Sequence, residues 1–398
     1  MRPLQDVLLD DAPGFWGDVS NGTDDIAVLR STNLRNDGRL DFSDIAKRAF
    51  PEKKRVQKRL EVGDILLERS GGGPQQPVGR VALFEANGDF AYSNFIQRLR
   101  PDAKQVLPRF LFYALWDLHA RGETSRLQQA TTGIRNLQYN DYLARPQLVP
   151  PLAEQRKIAA ILSSVDEKIE KTEAVIAQLD VVKKAMLEEL LTRGIPGRHS
   201  RFKQSEIGEV PQEWRIEALE RVVEVLDSKR KPLNSTERQT MQGPFPYYGA
   251  NGPVDSISEW IFDEPLLLMA EDGGYFDEFA TRPIAYLVDG KCWVNNHAHV
   301  LRVKEPNVRE WVFYSLVHRD IRGFINSATR SKLNQADLRR IPVPLPSPSE
   351  QAEMASALLS SDAYRAALLK ELKELRSVKS SLSTSLLSGE VRVGTGDA

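Results

Sequence analysis

Hydrophobic and polar positions form two kinds of pattern along the chain, and each pattern occurs twice. Short apolar runs that end in glycine, ILLERSGGG from Ile65 and LLLMAEDGG from Leu266, predict buried strands followed by turns. Later in each half, a long stretch has apolar residues at spacings of three and four, which is typical of an amphipathic helix. The pattern therefore predicts two strand-containing domains, each followed by one long helix.

The first long helix is predicted from Glu154 to Arg193, a stretch without proline or glycine, and the second ends before Gly389. The first apolar stripe consists of Ile158, Ile161, Leu162, Val165, Ile169, Val175, Ile176, Leu179, Val182, Met186 and Leu190. The second consists of Met354, Leu358, Tyr364, Leu368, Leu372, Leu375, Val378, Leu382 and Leu386. Each stripe needs an apolar partner, either its own domain or the other helix. For mutual pairing the candidates are Ile158, Val165, Ile169, Leu179, Leu358, Leu368, Leu372 and Leu375.

An internal repeat favours mutual pairing of the helices. The segment LARPQLVPPLAEQRKIAAILSSVDEKI returns as RRIPVPLPSPSEQAEMASALLSSDAYR, which sets Glu154 opposite Glu350 at an offset of 196 residues. Upstream, Asn94 matches Asn296 at an offset of 202 residues, and small differences in loop length explain the drift. A repeat on this scale indicates two copies of one structural plan.

Composition narrows the class of protein. A chain of 398 residues can bury two cores. Its 54 Lys and Arg residues against 55 Asp and Glu give a net charge of -1, without the basic excess that small nucleic-acid-binding domains often show. The single cysteine, Cys292, excludes an internal disulfide and a cysteine-rich zinc site, and no charged-then-apolar leader is present. We therefore expect a soluble, cytoplasmic protein.

Three motifs in combination carry a family resemblance. Both halves have PxPxxEQ-type helix starts, the linker IGEVPQEW begins at Ile207, and the run FPYYGANG begins at Phe245. In this order and spacing they resemble the specificity subunit of Type I restriction-modification enzymes over nearly the whole chain. The resemblance implies a sequence-specific DNA-recognition subunit whose two domains each read one half of a bipartite, asymmetric target. It also implies that the helices pair antiparallel as a spacer and dock methyltransferase subunits.

The expected fold class is α+β, with two similar α/β target-recognition domains joined by two long helices that pair as an antiparallel coiled coil. The predicted segments are recognition domain 1 at 1–150, the first spacer helix and linker at 151–200, recognition domain 2 at 201–348, the second spacer helix at 349–392 and a tail at 393–398. The first half begins MRPLQDV and lacks the tryptophan-containing sequence PQEWRIEAL around Trp214, so its N-terminal edge has no matching signal.

Two basic runs supply candidate contacts to DNA phosphates. The first lies between Lys47 and Arg59, and the second lies between Arg319 and Arg340. The named candidates are Lys47, Arg48, Lys53, Lys54, Arg55, Arg319 and Arg322. Lys and Arg on phosphates fix the position of a protein on the duplex. The alternative is that these runs are solvated surface.

Base-reading side chains are expected in loops that mix amide, hydroxyl and guanidinium groups. Such loops lie at Thr131 to Gln138 in the first domain and at Thr329 to Gln335 in the second. With the matching strand positions and the FPYYGANG loop, the candidates are Asn94, Arg135, Asn136, Gln138, Tyr248, Asn251, Asn296, Arg330, Lys332 and Asn334. Asn and Tyr in such places can equally cap turns.

Signatures of catalysis are missing from the sequence. An N6-adenine methyltransferase would show an Asn-Pro-Pro-Tyr-type tetrapeptide and a DNA translocase a Walker A loop, and neither occurs. His297 and His299 have no third ligand at a convincing spacing, so no metal site is expected. We expect a non-catalytic chain that binds no cofactor. The resemblance implies partners in duplex DNA, adenine methyltransferase subunits and restriction subunits, which would carry S-adenosylmethionine, ATP and Mg²⁺; no membrane partner is expected.

Two alternatives stay open at this point. Asp64 and Glu68 near a strand end would suit a self-contained nuclease, which a metal-dependent cleavage assay on the isolated chain would detect. A duplicated scaffold that binds protein or sugar would also have repeated domains and long helices. Affinity for duplex DNA that is absent, or indifferent to salt, would favour the scaffold.

Overall fold

The computed structural model describes residues 1–73, 76–131, 134–326 and 331–394, apart from the side chains of Ala130, Thr131 and Ile134. The chain divides into two compact units. Unit 1 comprises Met1–Glu173 and the chain from Lys370 onward, and unit 2 comprises Ala174–Leu369. Each unit therefore contains one strand-containing domain and about half of each long helix.

Unit 1 builds its core on the apolar run from Ile65, because all four residues of that strand are buried. Its strands are β1 (Arg2–Pro3), β2 (Leu8–Pro13), β3 (Asp18–Val19), β4 (Asp25–Leu29), β5 (Ala46–Ala49), β6 (Ile65–Glu68), β7 (Ser70–Gly72), β8 (Val81–Leu83), β9 (Phe90–Tyr92), β10 (Ile96–Pro101), β11 (Gln128–Thr131), β12 (Ile134–Leu137) and β13 (Pro146–Gln147). Its short helices are α1 (Glu52–Lys58), α2 (Pro108–Ala120) and α3 (Tyr139–Ala144). The central sheet is antiparallel with strand order β2-β10-β6-β8. The order of the second sheet is β3-β5-β4-β9, with β4 and β9 parallel, and β11-β12-β7 and β1-β13 form smaller sheets.

The two long helices are α4 (Leu152–Thr192) and α9 (Pro348–Ser388), each of 41 residues. At ~1.5 Å per residue each is about 60 Å long. They confirm the two predicted helices, and Gly389, whose φ of 79° suits a helix C-terminus, follows the second.

Unit 2 repeats the plan of unit 1 around the apolar run from Leu266, which is buried throughout. Its strands are β14 (Phe202–Ser205), β15 (Gly208–Pro211), β16 (Arg215–Ala218), β17 (Val223–Val225), β18 (Gln242–Gly249), β19 (Gly252–Ile257), β20 (Phe262–Asp263), β21 (Leu266–Ala270), β22 (Ala285–Val288), β23 (Lys291–Val294), β24 (Ala298–Val303) and β25 (Pro342–Leu345). Its short helices are α5 (Leu219–Val222), α6 (Ser235–Thr240), α7 (Arg309–Tyr314) and α8 (Gln335–Arg340). The central antiparallel sheet has the order β17-β24-β21-β22, and the second sheet, β19-β18-β23-β20, again contains one parallel pair, β18 with β23.

Both domains begin and end in the same way. The first strand of the domain pairs with the strand that precedes the long helix, β1 with β13 and β16 with β25. The residue after that first strand donates its backbone N–H across the pair, Leu4 to Arg145 O at 3.0 Å and Leu219 to Ile341 O at 2.8 Å. Strand β1 is therefore the N-terminal edge of the first domain, which no repeated motif marks.

The long helices pair antiparallel in each unit. In unit 1 the first half of α4 lies against the second half of α9, and in unit 2 the second half of α4 lies against the first half of α9. The ion pairs that join them are Lys168–Glu371, Arg376–Glu173 and Lys379–Asp166 in unit 1 and Lys183–Asp362 and Arg365–Asp180 in unit 2. The eight predicted pairing residues, Ile158, Val165, Ile169, Leu179, Leu358, Leu368, Leu372 and Leu375, are all buried or half-buried.

The predicted apolar stripes are wrong at four positions. Val175, Val182, Tyr364 and Val378 belong to the predicted stripes, but 43, 49, 54 and 47 % of these residues are exposed. The buried faces include Thr172, Lys379 and Ser383 instead. A helix that packs on both a domain and a second helix buries different sides along its length, so one stripe of constant direction does not describe it.

Among the described residues, no helix is long and apolar enough to cross a membrane.

A glutamine at the start of each long helix fastens that helix to its domain. Gln155 accepts from Leu107 N at 2.7 Å and donates to Pro150 O at 2.8 Å. Its repeat partner Gln351 accepts from Val308 N at 2.9 Å and donates to Pro346 O at 3.0 Å. Both amides are buried and use both of their ends, which explains why the EQ pair recurs at this place in the sequence.

The glutamate beside each of these glutamines binds the chain that leaves the other helix. Glu154 at the start of α4 accepts two hydrogen bonds from Arg392, at 2.7 and 2.6 Å, after the end of α9. Glu350 at the start of α9 contacts Nε2 of His199 at 2.7 Å, after the end of α4. The repeated EQ motif therefore joins each helix start to its own domain and to the end of the neighbouring helix.

Candidate nucleic-acid interface

An exposed asparagine stands in the same turn of both domains. Asn94 lies between β9 and β10, and Asn296 lies between β23 and β24. The backbone beside each turn is held to the segment after the buried apolar strand: Arg69 N donates to Phe95 O at 2.8 Å, and Glu271 N donates to His297 O at 2.8 Å. The predicted match of these two asparagines therefore places them at equivalent edges of the two central sheets.

Asn136 and Lys332 occupy a second pair of equivalent positions beside these turns. Asn136 of β12 pairs with Ser70 of β7, and Ser70 Oγ donates to its side-chain carbonyl. Lys332 forms an antiparallel bridge with Asp272, which follows β21 as Ser70 follows β6. At this equivalent position the first domain thus has an amide and the second domain has an ammonium group.

The remaining candidates in these loops lie at the starts of two short helices and on strand β12. Gln138 precedes α3 and Asn334 precedes α8, so they too are equivalent. Arg135 is half-buried, and its Nη1 lies 3.4 Å from Gln128 Oε1. Arg330 lies outside the described residues.

The FPYYGANG run lies at the same edge of unit 2 as Asn296. Tyr248 O accepts from Asn295 N at 3.0 Å, and Asn251 Nδ2 donates to Gly273 O at 2.9 Å. Burial raises the pKa of the Tyr248 phenol, which is half-buried. The structure therefore brings Asn251, Asn296 and Lys332 together around the segment that follows β21.

The first basic run surrounds two aromatic rings next to the Asn94 turn. Phe15 N donates to Tyr92 O at 2.9 Å, which keeps the chain after β2 beside that turn. The Arg48 guanidinium stacks on Trp16 at 4.6 Å, and Lys54 lies 5.7 Å from the centre of the Phe15 ring. A cation above an aromatic ring is attracted to the ring face, while the side of the cation that points away from the ring can stay exposed to solvent.

The five candidate cations of this run differ in exposure and in the partners that their side chains have. Lys47, Lys53 and Lys54 are exposed, and Arg48 is half-buried. Arg55 donates to Asp89 at 2.7 Å, and this hydrogen bond raises the pKa of its guanidinium. The exposed lysines are consequently better placed for a phosphate than Arg55.

The two candidate arginines of the second basic run form contacts within the protein itself. Arg319 donates to the backbone carbonyl of Pro342, and burial lowers the pKa of its guanidinium. Arg322 is exposed and forms an ion pair with Asp320 at 2.7 Å. The guanidinium of Arg319 is therefore committed to the backbone of its own domain.

Sequence reasoning missed the lysines of the run SKRK, which follows β17 in unit 2. Lys229 and Lys231 are exposed, while Arg230 between them donates to Ala298 O at 2.7 Å. Trp293 Nε1 donates to Lys231 O at 2.6 Å, so the run is fixed next to the Asn296 turn. This connection corresponds to the one that contains Phe15 in unit 1, so basic groups flank the turn in both domains.

Comparison with known proteins identifies the family. The chain matches the family described as Type I restriction modification DNA specificity domain over residues 22–180 and again over 211–375. The chain belongs to this family. The two matched segments each contain one of the equivalent edges, so the specificity domain occurs twice.

Two relatives named as type I restriction enzyme specificity subunits are similar to this chain over most of their length. The provisionally named type I restriction enzyme MjaX specificity subunit of Methanocaldococcus jannaschii is 25 % identical over 403 residues, covering 99 % of this chain and 94 % of the relative. The type I restriction enzyme MjaVIII specificity subunit of the same organism is 26 % identical over 340 residues, covering 76 and 74 %.

A solved structure shares the fold of this specificity subunit. The crystal structure of the S subunit of a Type I restriction-modification system from M. genitalium superposes with a TM-score of 0.64 at 17 % identity, covering 97 % of this chain and 95 % of the other. At this identity the likeness concerns the fold alone. It confirms the α+β fold class expected from the sequence.

The specificity subunit contains one grouping of metal-ligand side chains among its described residues, and it is satisfied by the protein. Asp227, Glu271 and His299 bring ligand atoms within 4.8 Å of one another, which their sequence spacing does not reveal. Arg230 donates to Glu271 at 2.6 Å and lies 3.4 Å from Asp227. Despite burial, the hydrogen bond and charge of His299 hold the pKa of Asp227 below its usual value. Arg230 thus already contacts both carboxylates, and the grouping forms a polar network.

The carboxylates that would suit a nuclease are also engaged. Asp64 accepts from Arg100 at 2.7 and 2.8 Å, and Glu68 accepts from Arg80 at 2.9 and 2.7 Å. Each is a two-point ion pair inside the central sheet of unit 1, and 1 % of Asp64 and 2 % of Glu68 are exposed. Neither carboxylate is available to coordinate a catalytic metal at the surface.

Proposed function

We propose that this specificity subunit binds a bipartite, asymmetric sequence in double-stranded DNA, with one half-site per recognition domain. The proposal rests on one observation: the two domains have equivalent sheet edges, but the side chains at these edges differ. Asn94 and Asn296 are shared, whereas Asn136 in one domain stands where Lys332 stands in the other. An amide suits the adenine edge and an ammonium suits guanine O6 and N7, so the two edges would prefer different bases.

Phosphate contacts would hold both edges on the duplex. Lys54 lies above Phe15, whose backbone is bonded to Tyr92 beside the Asn94 turn, and Trp293 holds the run that contains Lys229 and Lys231 next to the Asn296 turn. Neutralised phosphates release counterions, so binding should weaken steeply with salt. This local arrangement supports DNA binding by a chain whose net charge is only -1.

The specificity subunit would recognise the DNA sequence, and partner subunits would carry out the catalysis. We propose that the paired long helices dock adenine methyltransferase and restriction subunits, and that S-adenosylmethionine, ATP and Mg²⁺ bind to those partners. A structural neighbour that superposes with a TM-score of 0.54 at 16 % identity comes from work on complex assembly of the type I R-M system, which supports such docking. The nuclease alternative has less support, since Asp64 and Glu68 are held in ion pairs.

The proposal is tested by expressing the chain with its methyltransferase partner and mapping methylated adenines over the host genome. One bipartite motif, methylated on both strands, is the expected result. Scattered methylation, or none in a complex that assembles, would favour the scaffold that binds protein or sugar.

A further inference from the structure

A buried polar network lies directly behind the segment that carries Lys332 and Asn334. His299 of β24 is 1 % exposed. Its Nε2 lies 2.8 Å from Leu333 O and its Nδ1 lies 2.6 Å from Asp227 Oδ2. The two ring nitrogens thus face one acceptor each, the backbone carbonyl of Leu333 and the carboxylate of Asp227. One side chain thereby ties the candidate reading segment to the central sheet.

The same segment is fastened at three further points. Leu333 N donates to Glu271 O at 2.7 Å, and Lys332 Nζ lies 3.0 Å from Glu271 Oε1. Gln335 Nε2 donates to Asp227 Oδ2 at 3.1 Å. Arg230 holds Glu271 from behind at 2.6 Å. Lys332 and Asn334 therefore sit on a backbone whose position is fixed chiefly by the buried side chains of His299 and Glu271.

The first domain fills the equivalent positions with different chemistry. Gln97 stands where His299 stands, and its Nε2 lies 3.4 Å from Asp11 Oδ2. Arg69 replaces Glu271, donates to Gln97 at 3.2 Å and stacks on Tyr139 at 5.0 Å. Tyr139 replaces Gln335, and its hydroxyl donates to Asp11. The acidic position of one network is basic in the other, within the same frame of strands.

We propose that these two networks determine base specificity without touching DNA, with His299 positioning the reading segment of the second domain and Tyr139 that of the first. The inference rests on the proposed function. Base discrimination depends on hydrogen bonds whose donors and acceptors must lie within a few tenths of an ångström of their places. A change in one network that displaces its reading segment therefore weakens discrimination between bases in one half-site and leaves the other half-site unchanged.

The test uses the subunit in complex with its methyltransferase partner and duplexes that carry single-base changes in either half of the mapped motif. His299→Gln removes one of the two anchoring donors in the second domain, and Tyr139→Phe removes the hydroxyl in the first. Each is expected to lower discrimination on the order of tenfold in its own half-site. His318→Gln is the matched control, because His318 lies in the second domain and bonds Phe279 O instead.

The outcomes separate the inference from the function on which it rests. A wild-type complex without a bipartite motif would refute the proposed function. With the motif present, equal relaxation of both halves by either variant, or unchanged discrimination in both, would overturn the positioning role. If His299→Gln does not assemble, Gln335→Ala removes an exposed amide that bonds Asp227, and the same one-sided result is required of it.

Discussion

Lys379 of α9 lies 2.7 Å from Asp166 of α4 with only 6 % of its side chain exposed. Asp166 also accepts from the Tyr113 hydroxyl at 2.8 Å, and the ammonium group lies 3.8 Å from the centre of the Trp116 ring. Unit 2 contains the same arrangement in Lys183, Asp362 and Tyr314. In each unit a tyrosine of the domain, an aspartate of one long helix and a lysine of the other are thus joined.

We expect Asp166→Asn to destabilise the protein more than Lys379→Met. The first change leaves a buried ammonium group without its carboxylate, which costs on the order of 3–5 kcal/mol. The second leaves a carboxylate that is 34 % exposed and still bonded to Tyr113, with a cost of about 1 kcal/mol. Urea unfolding followed by circular dichroism measures both, with the exposed Lys373→Met as control. Equal losses, or a larger loss for Lys379→Met, would contradict a buried pair.

Acid should weaken unit 1 through His119. Burial, aided by the charge of Arg80, lowers the pKa of His119 to about 4, whereas an unfolded histidine titrates near ~6.5. Between those values the unfolded chain binds a proton that the native protein does not, so stability falls as pH falls and the loss is complete below about 4. From pH 7 to pH 5 this residue accounts for about 2 kcal/mol.

The check compares urea midpoints of the wild type and His119→Gln at pH 7 and pH 5. Glutamine keeps a polar group near Thr124 and does not titrate in this range. The variant should lose less stability than the wild type over the interval. Identical losses would show that His119 titrates alike in both states.

The architecture was predictable from the sequence because its signals are local or repeated. The run from Ile65 is buried throughout, and proline-free spacing gave the long helices to within a few residues. The stripe failed at Val175 and Tyr364, since periodicity reports that a helix is amphipathic but not which neighbour covers each turn. The burial of Lys379 depends on its contact with Asp166, which is also bonded to Tyr113, and these residues are far apart in the sequence.

Lys229 and Lys231 should contribute to DNA affinity without contributing to sequence preference. Each lysine that neutralises a phosphate adds ~0.9 to the slope of log K against log salt, so Lys229→Ala with Lys231→Ala should reduce that slope by about 2. Binding of the assembled complex to its target duplex between 50 and 200 mM salt gives the slope. The methylated motif should stay the same. An unchanged slope, equal to that of the Lys373→Ala control, would remove these lysines from the interface.

The candidate site was predictable only in part. Matching the repeats gave the equivalent asparagines Asn94 and Asn296, because their offset could be read directly. The networks behind the edges could not be found this way, since Asp227 and His299 are 72 residues apart and meet only when β17 pairs with β24. A basic run also looks the same in sequence whether its members are exposed, as Lys54 is, or committed to a carbonyl, as Arg319 is.

Modular reading by the two domains is tested most directly by exchanging residues 202–344 for the corresponding region of a relative with a different target. The hybrid is expressed with the methyltransferase partner, and methylated adenines are mapped over the genome. We predict a motif in which one half is new, while the half read by the first domain is retained. A change in both halves, or in neither, would contradict the account.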